Sequence, residues 1–547
     1  MTPGHSAQRN PTVDTFRPAD HSCRMTATVA RRIVDQLVAL GADLAFGVPG
    51  ESYLAVLDAL HDTPALRFIT CRQESGAAFA AEAHGKLMGR PGLVMVTRGP
   101  GVMNAAIGVH TAQQDETPLI VLVGQVPRSQ RGRDAFQEVD LRQIFGSVCK
   151  WVHELDQPDQ AAEVIHRAWT VACSGRPGPV MIGLPEDVLE LPSAGPVVAA
   201  SAAAQTAVAT AVANDVRAQL AAAQRPVVIV GGSRWSEAAI EMLPSVLAGI
   251  PLITGFRRQD LVDHRLPNFA GSLGLGADPS LINRLRQADL VLAVGDRLDD
   301  PSTNGFTIWP LPDPGVPLVH VHPDPHELGR VHRATTAIVA DPEAFLTAIG
   351  SVTLRSEVNA WTQAARAGYE QWQGTAGQLD EIVRGLRALL ADDAIVTNGA
   401  GNFTRPVQRA YTYHRPGRQL APVGGAMGYG LPAAMAAALT YPTRHVACVA
   451  GDGDVMMTVQ ELATISHEHL AVVVLVVDNR CYGTIRTHQE RRYPDRPFGT
   501  ALTNPDFVQL AESFGMTAWR TTGVGDTLAA LGEALGSRAA CLVHLVV

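Results

Sequence analysis

Gly451-Asp452-Gly453-Asp454 closes one apolar run, and Val477-Asp478-Asn479-Arg480-Cys481-Tyr482-Gly483 closes the next. The two runs read as neighbouring strands. Asp452 then stands in a tight turn after the first strand and Asn479 directly after the second. Both side-chain oxygens reach the carboxyl edge of the sheet, where open α/β sheets bind ligands. The glycines let the backbone approach a bound group closely. The helix that follows offers N–H groups and a positive dipole end to an anion. One carboxylate, one amide oxygen and one backbone carbonyl make the oxygen-only half-shell that Mg²⁺ accepts when phosphates complete its octahedron. Asp and Asn are also ordinary turn residues that stabilise their own loops, so the pair alone leaves both readings open.

Outward from this stretch, the chain divides into three blocks. The first, 25–191, alternates helical periodicity with strand-like runs such as Leu93–Thr97 and Leu119–Val123. That alternation predicts a parallel sheet wrapped by helices. An Ala/Val/Ser-rich stretch, 192–213, reads as a linker. The second block, 214–350, opens with Pro226-Val-Val-Ile-Val-Gly-Gly and predicts a Rossmann-like domain. A polar, Gln-rich stretch, 351–378, reads as a second linker, and the third block runs over 379–547. In block one a strand, a Gly99-Pro100-Gly101 turn and a helical segment lead to a strand at Leu119. In block three a strand, Gly451-Asp452-Gly453 and a helical segment lead to Ala471. From first turn glycine to next strand is 20 residues in both (99 to 119, 451 to 471). Duplication of one unit is expected, and the fold class is α/β with three doubly wound parallel-sheet domains.

Composition narrows the function. A chain of 547 residues exceeds one hydrophobic core, and 46% hydrophobic with 18% charged residues is a globular composition. The net charge of −9 and the lack of long Lys/Arg runs argue against a nucleic-acid partner. No apolar run is long enough to span a bilayer. Residues 1–24 are polar and Pro-containing and read as a flexible leader without a secretory apolar region. Seven scattered cysteines without a CxxC pair fit neither a disulfide framework nor a zinc cluster, and point to the cytoplasm.

The spacing of 27 from Asp452 to Asn479 resembles the signature of thiamin-diphosphate enzymes. Gly424-Gly-Ala-Met427-Gly-Tyr-Gly-Leu-Pro-Ala-Ala434 is similar to that superfamily's segment beneath the thiazolium ring. Phe46-Gly-Val-Pro-Gly-Glu51 and Arg72-Gln-Glu-Ser-Gly-Ala77 resemble its pyrimidine-domain loops. The overall pattern is most similar to the acetolactate synthase (acetohydroxyacid synthase) branch, with pyrimidine-binding, central and diphosphate-binding domains in that order. The resemblance implies thiamin diphosphate and Mg²⁺, with Asp452, Asn479 and Cys481 at the metal. It implies Pro49, Gly50, Gly401, Asn402, Gly425, Met427, Gly453, Asp454, Tyr482 and Gly483 at the cofactor. Glu74 resembles the glutamate that hydrogen-bonds the pyrimidine N1′, and Met427 the apolar wedge that keeps the cofactor bent. Asp134-Ala-Phe136-Gln137-Glu138 is similar to the segment whose Phe and Gln face the reacting carbons, so Glu74, Phe136 and Gln137 are the catalytic candidates.

The implied activity is decarboxylation of a pyruvate-like 2-oxo acid and transfer of the resulting enamine to a second carbonyl compound. A non-ligating decarboxylase or C–C lyase is the alternative. The implied assembly is a homodimer or homotetramer with sites between chains. Some positions depart from the pattern. Asp478 replaces the first Asn of the usual pair, and Asp454 stands where Ser is common, so its carboxylate must turn away or be hydrogen-bonded. His488 replaces the Trp that favours 2-oxobutyrate as acceptor, which removes a large apolar wall. Arg297-Leu-Asp-Asp300 resembles the synthases' FAD segment, but the Gly231-Gly232 turn lacks a GxGxxG fingerprint, which leaves FAD doubtful.

Overall fold

The computed structural model describes residues 27–547 apart from 202, 203, 205, 375 and 376. The leader expected over 1–24 lies outside the described residues. Three six-stranded sheets follow one another along the chain. The first contains β1 (Leu44–Gly47), β2 (Arg67–Thr70), β3 (Gly92–Val96), β4 (Leu119–Gln125), β5 (Trp151–Glu154) and β6 (Pro179–Pro185). The second contains β7 (Pro226–Val230), β8 (Leu252–Thr254), β9 (Phe269–Ser272), β10 (Leu290–Val294), β11 (Leu318–His322) and β12 (Thr336–Val339). The third contains β13 (Ile395–Asn398), β14 (Gln419–Leu420), β15 (Val446–Gly451), β16 (Val472–Asp478), β17 (Thr517–Thr521) and β18 (Cys541–Val546).

Among the described residues every strand pairing within these three sheets is parallel. Helices cover both faces, so central strands such as β4, β15 and β16 are apolar runs buried at every position. The outer sheets have the orders β2-β1-β3-β4-β6-β5 and β14-β13-β15-β16-β18-β17. Counted within each domain these are the same order, as a duplicated unit requires. The central order, β12-β11-β10-β7-β8-β9, is that of a Rossmann sheet.

One linker expectation is corrected. Within 351–378 the chain forms the Glu357–Gln373 helix, which buries Val358, Thr362, Ala365 and Tyr369. Trp361 Nε1 donates to Pro226 O at 3.0 Å and Thr362 Oγ1 to Gly249 O at 2.6 Å, so the helix belongs to the central domain. The stretch read as the first linker, 192–213, ends inside a helix that starts at Thr210. No helix among the described residues is long and apolar enough to cross a membrane.

The Glu74–Met88 helix joins the two outer domains. It is buried almost all round, chiefly through alanines 77, 78, 80, 81 and 83. One side packs on the Gly99–Gln114 helix, so closely that a Cβ on Gly108 would lie 2.4 Å from Ala78 Cβ. The other side packs on the Gly430–Thr440 helix, whose Ala433, Ala434, Ala436 and Ala437 are fully buried. Glu82 crosses this seam: its carboxylate accepts from Thr117 Oγ1 and Tyr429 OH, each at 2.5 Å. Both oxygens are thereby satisfied where an unpaired one would cost about 1–3 kcal/mol or more.

Candidate active site

β13, β15 and β16 are neighbours, and the register pairs Gly451 with Val477. The next residues along, Asp452 and Asp478, therefore share one carboxyl edge. Asn504 Nδ2 bridges them, donating to Asp452 Oδ2 at 2.7 Å and Asp478 Oδ1 at 2.8 Å. Burial, with Asp478 close by, raises Asp452 above the usual carboxylate range. Burial acts the same way on Asp478, but its bonds to His544 Nε2 and Arg480 N, each 3.0 Å, hold it below. This edge is rich in carboxylate and short of positive charge, which suits a divalent cation.

Asn479 is exposed at the same edge, and its Oδ1 accepts from Cys481 N at 3.1 Å. The loop curls so that Gly483 N donates to Cys481 O at 2.8 Å. That carbonyl keeps a second lone pair. Among the described residues there is no cluster of three or more His, Cys, Asp or Glu side chains suited to a metal. The candidate set has one carboxylate, one amide oxygen and one main-chain oxygen, a hard-donor set that fits Mg²⁺ rather than zinc.

The neighbouring loops form a cradle. Gly401 has φ +155°, and Asn402 beside it accepts from Thr484 Oγ1 at 3.0 Å, so the β13 loop meets the helix that begins at Gly483. A Cβ on Gly453 would lie 2.6 Å from the Tyr482 ring, and one on Gly483 would lie 2.9 Å from Asn479 Nδ2. Gly453, Tyr482, Gly483, Asn479 and Asn402 thus come together. Asp454 turns inward instead. Its Oδ1 accepts from Ala400 N and Gly428 N, each at 3.0 Å, and burial lifts it to about 6. Its carboxylate braces the β13 loop against the 422–428 turn, which carries half-buried Met427 and Gly425 at φ +70°.

In the pyrimidine domain, Glu74 begins its helix and is 9% exposed. Asn104 Nδ2 donates to its Oε2 at 2.9 Å, and a Cβ on Gly101 would stand 3.3 Å from its Oε1. Pro49 and Gly50 follow β1, and a Cβ on Gly50 would lie 2.8 Å from Thr97 Cβ, so the loops after β1 and β3 abut. Phe136 is 74% exposed. Gln137, at φ +65°, accepts Gly99 N on its carbonyl at 3.0 Å, which fastens this loop to the helix that carries Asn104. His488 is exposed on the Gly483–Arg492 helix.

Among the described residues no hydrogen bond joins Glu74 to the diphosphate half of its own chain. The link runs through Glu461, on the Glu461–His467 helix. Its Oε1 accepts Arg72 N and Gln73 N, each at 3.1 Å, immediately ahead of Glu74. Its carboxylate fills the space that a Cβ on Gly76 would need, 2.5 Å from Oε1. Glu461, Asn104 and Asn504 were not singled out from the sequence. Each lies apart from the motifs, and only the folded contacts reveal it.

Comparison with known proteins bears on the order of the three domains. Residues 27–144 match the thiamine pyrophosphate enzyme N-terminal TPP binding domain, 213–349 the central domain, and 399–545 the C-terminal TPP binding domain. The chain is 30% identical to the acetolactate synthase isozyme 2 large subunit of Escherichia coli (strain K12), over 94% of this chain and 95% of that protein. It is 32% identical to the isozyme 1 large subunit of the same organism, over 96% and 94%. It is 31% identical to the acetolactate synthase large subunit of Parasynechococcus marenigrum (strain WH8102), over 92% and 85%. The chain belongs to the thiamine pyrophosphate enzymes, in their acetolactate synthase-like branch. It is a thiamin-diphosphate-dependent enzyme.

Proposed function

We propose that the enzyme is an Mg²⁺-dependent carboligase that decarboxylates a pyruvate-like 2-oxo acid and joins the remaining fragment to a second carbonyl compound. Bound thiamin diphosphate supplies the nucleophilic carbon and the electron sink for this chemistry. Asp452, Asn479 and the Cys481 carbonyl would hold Mg²⁺, and Gly401, Asn402, Gly453, Tyr482 and Gly483 would receive the diphosphate. Glu74, oriented by Asn104 on Oε2, keeps Oε1 to share a proton with the pyrimidine ring. Met427, on the turn braced by Asp454, would support the rings.

The observation that carries the carboligase reading is the Phe136–Gln137 loop, fastened through Gly99 to the helix that orients Glu74. An apolar ring over the reacting carbons excludes water and so favours a carbonyl acceptor over a proton. The reading requires a homodimer or homotetramer in which Glu74 of one chain completes the site of another. Exposed Met103, Ile107, Phe136, Met456, Met457 and Ile485 on the same elements support it. The scattered cysteines support a cytoplasmic location.

Incubation with thiamin diphosphate, Mg²⁺ and pyruvate, followed by NMR, tests the reading. Acetolactate is the expected product. Acetaldehyde alone would favour the non-ligating decarboxylase. Turnover of larger 2-oxo acids only would overturn the choice of substrate.

Glu461 acts in this reading as a positioning residue. Glu461→Ala leaves two N–H groups beside Glu74 without their acceptor, and kcat is expected to fall about tenfold or more through misplacement of Glu74. The Kd for thiamin diphosphate should stay near wild type, and Glu461→Gln should recover part of kcat by restoring one acceptor oxygen. A variant with unchanged kcat would remove Glu461 from the machinery.

A further inference from the structure

Arg297-Leu-Asp-Asp300 resembles the synthases' FAD segment, so the side chains at the central-domain crevice matter. In the order β12-β11-β10-β7-β8-β9 the chain reverses direction of travel between β7 and β10. The crevice outside the carboxyl ends of these two strands is where a doubly wound sheet receives a dinucleotide. A pyrophosphate there needs close backbone approach and cations that are not already neutralised.

The crevice of this chain holds carboxylates of its own. Glu116 comes from the pyrimidine domain, between the Gly99–Gln114 helix and β4, with φ +55° and 3% exposure. Its Oε1 lies 2.8 Å from Arg297 Nε, 3.6 Å from Arg176 Nε and 3.8 Å from His322 Nε2. Its Oε2 accepts from Ser233 Oγ at 3.2 Å, and a Cβ on Gly232 would stand 3.1 Å from it. Glu116 therefore reaches the loops after β7 and β10 and the carboxyl end of β11 at once. Burial alone would raise its carboxyl, yet His322, Arg297 and Arg176 hold it down to about 2, so it is a full anion.

The two arginines are further committed. Arg176 Nη1 pairs with buried Glu327 Oε1 at 3.0 Å, and Arg297 Nη2 with Asp299 Oδ2 at 3.1 Å. Asp296 fills the crevice floor. Its Oδ2 stands 2.1 Å and 1.9 Å from where Cβ atoms on Gly231 and Gly255 would be. The close-approach glycines after β7 and β8 thus receive a protein carboxyl group, and a pyrophosphate entering here would meet Glu116, Asp296 and Asp299.

We infer that Glu116 stands as a protein-borne anion in the place of a dinucleotide's phosphates, so that the central domain is closed to FAD and is clasped through Glu116 to the pyrimidine domain. Arg297, which resembles part of a flavin-binding segment, serves that clasp.

The full-length protein loaded with thiamin diphosphate and Mg²⁺, purified in the presence of excess FAD and then desalted, tests this directly. No flavin absorbance near 450 nm should remain, and FAD titration should give no saturable quenching of flavin fluorescence. Flavin retained near one per chain would overturn the inference. Glu116→Gln removes the charge while keeping the shape. It should lower the Tm and give saturable FAD quenching where the wild type gives none, since one repelling charge is gone. Should that variant fail to fold, the wild-type flavin content decides. A folded variant with wild-type Tm and no gain in flavin affinity would also overturn the role given to Glu116.

Discussion

Glu74→Gln is expected to lower kcat by about 10²- to 10⁴-fold, the range of a general acid–base contribution, with thiamin diphosphate still bound. Glutamine matches glutamate in shape. Its carbonyl oxygen can still accept from Asn104, as Glu74 Oε2 does at 2.9 Å. The packing against Gly101 and the helix start at residue 74 are also preserved. The loss is confined to the shared proton on the second carboxyl oxygen, which an amide cannot supply at any accessible pH. Steady-state rates with the 2-oxo acid, alongside cofactor affinity by calorimetry, separate the two effects. Turnover within threefold of wild type would refute the role given to Glu74.

Asp452→Ala is expected to weaken Mg²⁺-dependent cofactor binding by about 30-fold or more, since removing one partner of a buried charge contact costs roughly 2 kcal/mol upward. The same change should leave the apo-protein as stable as wild type, or more so. Asp452 shares a buried edge with Asp478, and only the Asn504 amide bridges the two. Burial first, and Asp478 beside it, raise the proton affinity of Asp452, so the charged form is held at a cost in the apo-protein. The combination of lost cofactor binding and an undiminished apo Tm separates a metal ligand from a structural turn residue. An Asp452→Ala protein with wild-type cofactor affinity would return Asp452 to the ordinary turn reading.

Much of the architecture was legible because strands buried on both faces appear as uninterrupted apolar runs, and β15 and β16 deliver Asp452 and Asn479 where that reading puts them. The Glu357–Gln373 helix was less visible. Its core side is Val358, Thr362, Ala365 and Tyr369, a weakly apolar stripe among glutamines, and tertiary contacts stabilise it where the local pattern does not. Glu461 lies 389 residues from the backbone amide of Arg72 that it accepts. Glu116 is one acid ahead of a strand, and its partners Arg176, Arg297 and His322 come together only in the fold. Local motifs report residues that meet a ligand through neighbouring turns. Residues that hold other residues leave no such mark.

The alanine-lined seam along the Glu74–Met88 helix bears on recombination between relatives. Both sides of that helix are committed, one to the Gly99–Gln114 helix and one to the Gly430–Thr440 helix, with Glu82 and Tyr429 keyed across the second. A hybrid gene that takes its first third from this enzyme and its last third from a cousin inherits half of a lock. Such chimeras should fold only when the donor segment brings small residues at 433, 434, 436 and 437 and a hydroxyl at 429. The outer thirds of this protein are therefore one heritable module, although they lie at opposite ends of the reading frame.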